Sequence, residues 1–230
     1  MSTATTTPQT PGTPARAAGR RPPRNRSRIV TAAVVAAVVI AAALSTKVVS
    51  NDSELLVGPT AFDAATYGEQ QFPEIASYVS ENAVDAVELA TALQADPTAA
   101  QQYGVVSSSG IGAVVPVSFT GTVEAPDQTG LPVVAVPGMP EGHVVHVQLG
   151  PAINGTDLRD ASGEVSLNDF ENQIQYQDAG AALNDQVKSQ VLAPLEGQDL
   201  TGRTIAVEGV VTLINPQNWN VTPTAVEVQQ

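Results

Sequence analysis

Residues 115–124 read VPVSFTGTVE, in which Val115, Val117, Phe119 and Val123 alternate with Pro116, Ser118, Thr120, Thr122 and Glu124. An apolar residue at every second position sends one face of an extended strand into a core and the other toward water. Working outward, a turn around Asp127 to Gly130 leads to a second strand, Leu131 to Val136. The Pro137-Gly138 to Gly142 turn then leads to a third, His143 to Leu149. A long segment of caps and helical spacing follows, with Leu183, Val187 and Val191 four residues apart, until Gly202 ends it. Two more alternating runs come next: Arg203 to Ile214, with Ile205, Val207, Val211 and Leu213 on one face, and Trp219 to Val228. Three strands, a helix and two strands is the order of an oligonucleotide/oligosaccharide-binding (OB) barrel, an order that other small α+β sheets share.

Upstream of the barrel the period is helical. Asp63 is a candidate N-cap, and Pro73 suits the first turn of a second helix. From there Ile75, Val79, Ala83, Ala86, Ala90 and Leu93 follow at three- and four-residue spacing, with Glu74, Glu81, Asp85 and Glu88 on the other face. Asp96-Pro97-Thr98 offers a cap and a first-turn proline for a short helix that Gly104 ends. Ser107 to Gly112 reads as the loop into the barrel. The fold class is thus α+β, a helical hairpin in residues 50–112 before a five-stranded OB-like barrel in 113–230, with a helix between strands 3 and 4.

Charge divides the chain further. Its net −13 averages an acid-free tail bearing six arginines before residue 29 and a body after Lys47 with 23 acids against Arg159, Lys188 and Arg203, a net −20. Between them Ile29 to Leu44 reads IVTAAVVAAVVIAAAL, which as a helix rises about 24 Å; continued through Lys47 to Val49 it reaches about 31 Å, enough to span a bilayer. The arginines place residues 1–28 as a disordered cytoplasmic tail, residues 29–49 as a transmembrane helix, and the acidic body outside the membrane. A cleaved signal peptide is the competing reading, since Ala41, Ala43 and Ser45 suit a peptidase, although the n-region is unusually long. Arg20-Arg21 is a weak twin-arginine signal, because Pro22-Pro23 follow it.

The densest polar stretch is Gly150 to Tyr176, GPAINGTDLRDASGEVSLNDFENQIQY. Asn154-Gly155 is a turn dipeptide, Thr156 can cap a short helix through its hydroxyl, and Ser166 with Asp169 resembles a capping box. Arg159, beside Asp160, is either an anchor for an anionic or polyol ligand or half of an internal ion pair. Asn168, Asn172, Gln173 and Tyr176 carry groups that read sugar hydroxyls and that equally satisfy loop backbone. These six are the candidate ligand-binding residues.

Other chemistries find little support. Zero cysteines exclude disulfides, thiolate zinc sites and thiol nucleophiles. His143 and His146, three apart on a strand, face opposite ways, so packed or solvated imidazoles are the better reading and no metal or cofactor is expected. Nucleophile elbow, phosphate loop and dinucleotide motifs are missing, so the chain reads as a non-enzyme. Nucleic acid is not an expected partner, because a −20 body offers no basic groove. Trp219 reads equally as a core plug or a stacking platform.

FDAATYG, AVELATALQADPTAAQQYG, the Gly150 to Tyr176 stretch with its preceding leucine, ALNDQV and VTPTAVEV together resemble an uncharacterised bacterial family of predicted periplasmic lipoproteins, from about Phe62 to Val228. The resemblance implies an accessory role beside sugar-type ABC transporters, with transporter components and a sugar-like small molecule as partners and no established catalytic residue. An alternative is a structural or assembly protein of the envelope. Leu44-Ser45-Thr46-Lys47 looks like the family's lipid-attachment element with Thr46 where the cysteine would stand. Without a thiol to lipidate, an uncleaved helix is expected to anchor the domain at the cell membrane, single-pass, with its C-terminal part extracytoplasmic.

Overall fold

The computed structural model describes residues 62–229. The basic tail and the expected transmembrane segment Ile29 to Val49 lie outside the described residues, and no helix among those described is long and apolar enough to cross a membrane.

The first helix, α1 (Ala64–Asn82), begins as the sequence suggests: the Asp63 carboxylate accepts the Thr66 N–H at 2.8 Å. That bond holds the Asp63 carboxyl below its usual range. Pro73, however, starts no second helix; it sits inside α1. An internal proline costs about 3 kcal/mol, whereas Phe72, Ile75 and Val79 are buried around it at roughly 1.5–3 kcal/mol each. Packing therefore wins. The expected run through Ala83 and Ala86 is in turn broken, because Ala83 is extended and β1 (Val84–Asp85) pairs parallel with the first barrel strand. Asp85 is the reason: its carboxylate caps α2 (Ala86–Ala95), accepting from Val87 and Glu88 N–H at 2.9 and 3.1 Å. A 3-10 turn (Pro97–Ala99) capped by Asp96 leads into α3 (Ala100–Tyr103), and β2 (Val105–Val106) follows.

The barrel strands are β3 (Ala113–Val123), β4 (Val134–Ala135), β5 (Val144–Val147), β6 (Thr204–Leu213) and β7 (Asn218–Val228). β3 pairs antiparallel with β6 from Ala113↔Leu213 to Thr122↔Thr204, β6 antiparallel with β7, and β7 parallel with β5. β4 pairs with β3, and a bridge from Val133 to His146 ties its segment to β5, so the circuit closes. This is the five-stranded OB-type barrel expected from the strand order. β4 is shorter than the Leu131–Val136 run because Pro132 and Pro137, which lack an N–H, flank it. Gly209 lies at a register shift in β6, where a Cβ would stand 2.5 Å from the Thr222 carbonyl oxygen.

The polar segment contains α4 (Asp157–Asp160), a 3-10 turn (Leu167–Asp169) and α5 (Gln173–Gln186), which runs on as a π-helix (Val187–Leu192). The helical hairpin is corrected here. α1 packs chiefly on α5, so closely that a Cβ on Gly68 would meet the Ala182 carbonyl oxygen at 2.8 Å. Two cores result. Ala86, Leu89 and Leu93 of α2 join Val115, Val117, Val147, Val211 and Trp219 inside the barrel. Phe72, Ile75 and Val79 of α1 join Leu158, Leu183 and Val187 against Val114 and Val210 on its outer surface.

Replacing Leu89, fully buried, by Ala should lower unfolding free energy by about 2–5 kcal/mol in chemical denaturation. Ile174→Ala, at a 70% exposed position, should change it by less than about 0.5 kcal/mol.

Candidate functional site

The Gly150 to Tyr176 segment crosses the barrel's outer face, and α4 carries Arg159 inward. The Arg159 side chain is 3% exposed. Its Nε donates to Asp160 Oδ1 at 2.8 Å, Nη1 to the Tyr176 carbonyl at 3.0 Å and Nη2 to Ser108 Oγ at 2.9 Å. The guanidinium carbon lies 3.6 Å from the centroid of the Tyr176 ring, a cation–π contact. Asp160 Oδ2 accepts from Ser108 Oγ at 2.6 Å and from Thr156 Oγ1 at 3.1 Å. The Thr156 hydroxyl therefore does not cap α4, as its position suggested; the Asp160 carboxylate draws it away. Each guanidinium nitrogen donates to an internal partner, so the geometry matches the internal-ion-pair alternative.

Of the six candidate residues the structure brings Arg159, Asp160 and Tyr176 together and leaves three apart. Asn168 is exposed on the 3-10 turn, and Gln173 is exposed at the start of α5. Asn172 is the α5 N-cap, its Oδ1 accepting from Ile174 and Gln175 N–H at 2.9 and 3.0 Å. Asp169 Oδ2 accepts the Ser166 N–H at 2.7 Å, completing the side of the capping box read from sequence. Around Tyr176 runs an aromatic chain that sequence reasoning missed: Phe62, Tyr67, Phe170 and Tyr176, with neighbouring ring centroids 5.4–5.8 Å apart. No local signal could have found it, because Phe170 joins the chain's first described residue to α5 across a tertiary contact.

A second buried network holds Asp157. Thr212 and Thr222 hydroxyls donate to its two oxygens, the latter at 3.0 Å, and Gln148 Nε2 donates to Thr222 Oγ1 at 2.8 Å and to the Asn154 carbonyl at 3.0 Å. Burial pushes the Asp157 carboxyl up, against the pull of the two threonines, and the Asp160 charge adds to the rise. Both histidines are held by internal partners. His146 lies between Asp127 Oδ2 at 2.9 Å and the Trp219 carbonyl at 3.3 Å, while His143 Nδ1 donates to the Pro140 carbonyl at 3.2 Å. Bonds from the Thr129 hydroxyl first, then His146 and the Thr129 N–H, hold the Asp127 carboxyl down to about 2. Trp219 is fully buried, a core plug.

Open space lies elsewhere. A recess of about 500 Å³ forms between Leu149 to Pro151 and the end of the π-helix, with Leu192 and Leu200 in its walls and Lys188 and Glu196 among its lining. Another, of about 630 Å³, lies across β3, β6 and β7 and carries Asp85, Glu208 and Glu227. A third, of about 250 Å³, sits between the β6–β7 turn and the end of α2. No group of three or more metal-ligating side chains occurs among the described residues.

A family model described as predicted periplasmic lipoprotein (DUF2291) matches residues 34–227. The crystal structure of an OB-fold protein from Thermotoga maritima is similar with a TM-score of 0.57 and 22% sequence identity, over 73% of this chain and 99% of that one. At that identity the likeness speaks for the fold. No curated protein matches the chain.

Removing Arg159 leaves Asp160 buried without its cation, so Arg159→Ala should destabilise the domain by about 3–5 kcal/mol in denaturant unfolding. Asp127, with a depressed folded-state pKa, stabilises above the unfolded value near 3.8 and loses that contribution as pH falls through about 2. Thermal unfolding of Asp127→Asn should therefore decline less steeply than the parent between those pH values, and parallel curves would refute the assignment.

Proposed function

This chain belongs to the predicted periplasmic lipoprotein family (DUF2291), and on that premise we propose that it is a membrane-tethered, extracytoplasmic binding module, accessory to a small-molecule transport system and not itself an enzyme. One observation carries the reading. Four buried or clustered ionisable side chains, Arg159, Asp160, Asp157 and His146, are engaged by internal partners, while recesses of small-molecule size open around the barrel wall. A domain so built binds without a converging acid, base and nucleophile. The tether follows from sequence: Thr46 stands where a lipidated cysteine would, and the apolar Ile29 to Leu44 precedes it.

A sugar-type ABC transporter is the system that the family resemblance implies. A second reading, envelope assembly without a small ligand, is favoured by the β2–β3 hairpin, where Val106 and Ile111 are exposed, with Ile214 close by at the end of β6.

Fractionation with N-terminal sequencing tests the tether: the protein should stay in the membrane with its arginine tail attached, and a soluble form beginning near Thr46 would overturn it. A thermal-shift screen with sugars and sugar phosphates, together with a pull-down from solubilised membranes, tests the accessory role. A ligand at 100 times its dissociation constant adds about 2.7 kcal/mol. A membrane partner captured with no shift from any ligand would favour assembly, and neither result would remove both readings.

A further inference from the structure

We infer that the cavity between the β6–β7 turn and the end of α2 binds a neutral, hydroxyl-rich small molecule. The inference rests on the binding-module reading above and gives it a place and a ligand class. The turn is rigid. Asn215 Oδ1 accepts the Gln217 N–H at 2.9 Å, the Asn215 carbonyl accepts the Asn218 N–H at 3.3 Å, and the Gln217 carbonyl accepts the Val144 N–H at 2.8 Å, which ties the turn to β5. It joins the fourth and fifth strands of the barrel, one of the connections through which folds of this type hold oligosaccharides and oligonucleotides.

The chemistry of the lining selects among ligands. Gln94, Asn215 and Gln217 bring three primary amides, His143 an imidazole, and Leu93 and Pro216 apolar wall, with no charged side chain among them. Three other recesses among the described residues hold Lys188 and Glu196, or Asp85, Glu208 and Glu227, or Asp178 and Asp185. In so acidic a body an anion is repelled, and a cation finds better partners at those carboxylates. A neutral ligand is what remains. Each amide offers two N–H donors and an acceptor, which complement hydroxyls, themselves donor and acceptor at once. The Gln94 and Gln217 side chains make no hydrogen bond with the described residues, and the Gln217 amide nitrogen lies over the Gly142 turn, 3.6 Å from where a Cβ would stand.

His143 adds an unmet demand. With Nδ1–H bonded to the Pro140 carbonyl, Nε2 is enclosed and without a hydrogen-bond partner among the described residues. A ligand hydroxyl that reaches it as the ring turns would satisfy it. The volume of about 250 Å³ suits one ring rather than an oligomer.

The chain supplies its own probe. Trp219, its one tryptophan, donates Nε1–H to the Pro216 carbonyl at 2.8 Å and stands edge-to-face with His143 at 6.4 Å, so both cavity walls touch the indole. Purified full-length protein in detergent is titrated with glucose, galactose, xylose, ribose and inositol, and with glucose 6-phosphate and glucuronate as charged counterparts. The expected result is a saturable tryptophan signal for a neutral polyol. Binding should weaken by at least about tenfold in the Gln94→Ala/Gln217→Ala double variant, whose thermal transition should stay in place because both side chains are exposed. Lys188→Ala should leave binding unchanged. No saturation with any neutral polyol, equal or tighter binding of the charged counterparts, or full binding by the double variant would overturn the inference. If ligand binding is lost only in Lys188→Ala, this cavity is the wrong site while the binding-module reading stands; a membrane partner captured with no polyol bound would overturn both in favour of assembly.

Discussion

The molecule depends on β3 being buried from both sides. Its first five residues, Ala113 to Val117, are all inaccessible, because alternate side chains enter different cores. Val115 and Val117 point into the barrel that α2 plugs; Val114 meets the layer made by α1 and α5. The same strand holds β6 along its length and accepts β1, β2 and β4 at its margins. Helical layer and barrel are consequently joined by a shared wall, and a change in one of its valines is felt in both cores.

The polar segment reinforces that wall. Arg159 links α4 to the loop before β3 through Ser108 and to α5 through the Tyr176 carbonyl and ring. Asp157 does the same for β6 and β7 through Thr212 and Thr222. Buried ions are stable only when their bonding capacity is met, and here loop, helix and strands meet it jointly. Charge buried this way fixes the position of the helical layer and has little capacity left for a ligand.

The barrel was legible because a half-buried strand writes its period directly into sequence, as Val115 to Val123 and Ile205 to Leu213 do. Caps were legible for the same local reason: Asp63 and Asp96 bond to amides two or three residues away. What failed was settled by distant partners. Pro73 reads as a helix start until Phe72 and Ile75 find Leu183 and Val210 across the layer. Ala83 and Ala86 continue a helical period on paper, yet Asp85 caps α2 and Val84 pairs with Val117. The Arg159 set was visible as a cluster, but whether its donors face a ligand or Ser108, 51 residues earlier, is not a local property. The β6–β7 cavity was invisible for that reason too, since Gln94, His143 and Gln217 come from three separate stretches.

Fold and electrostatics point to different ligands. Barrels of this type hold single-stranded nucleic acid by lining a groove with cations and stacking bases on aromatic rings. Of the three cations after Lys47, Arg159 is buried in its pair with Asp160 and Lys188 is 2.7 Å from Asp185, which leaves Arg203 to face phosphate. One such contact releases about one counterion, where tight binders release many. The one tryptophan is sealed in the core, and the aromatic chain from Phe62 to Tyr176 packs upon itself and Arg159. The described residues thus offer little cationic surface to a strand, whereas a turn that presents uncharged amides needs no counterion and does not conflict with an acidic surface. The proposed polyol site thus uses the barrel's β6–β7 turn without asking of the surface the cations that a phosphate ligand requires.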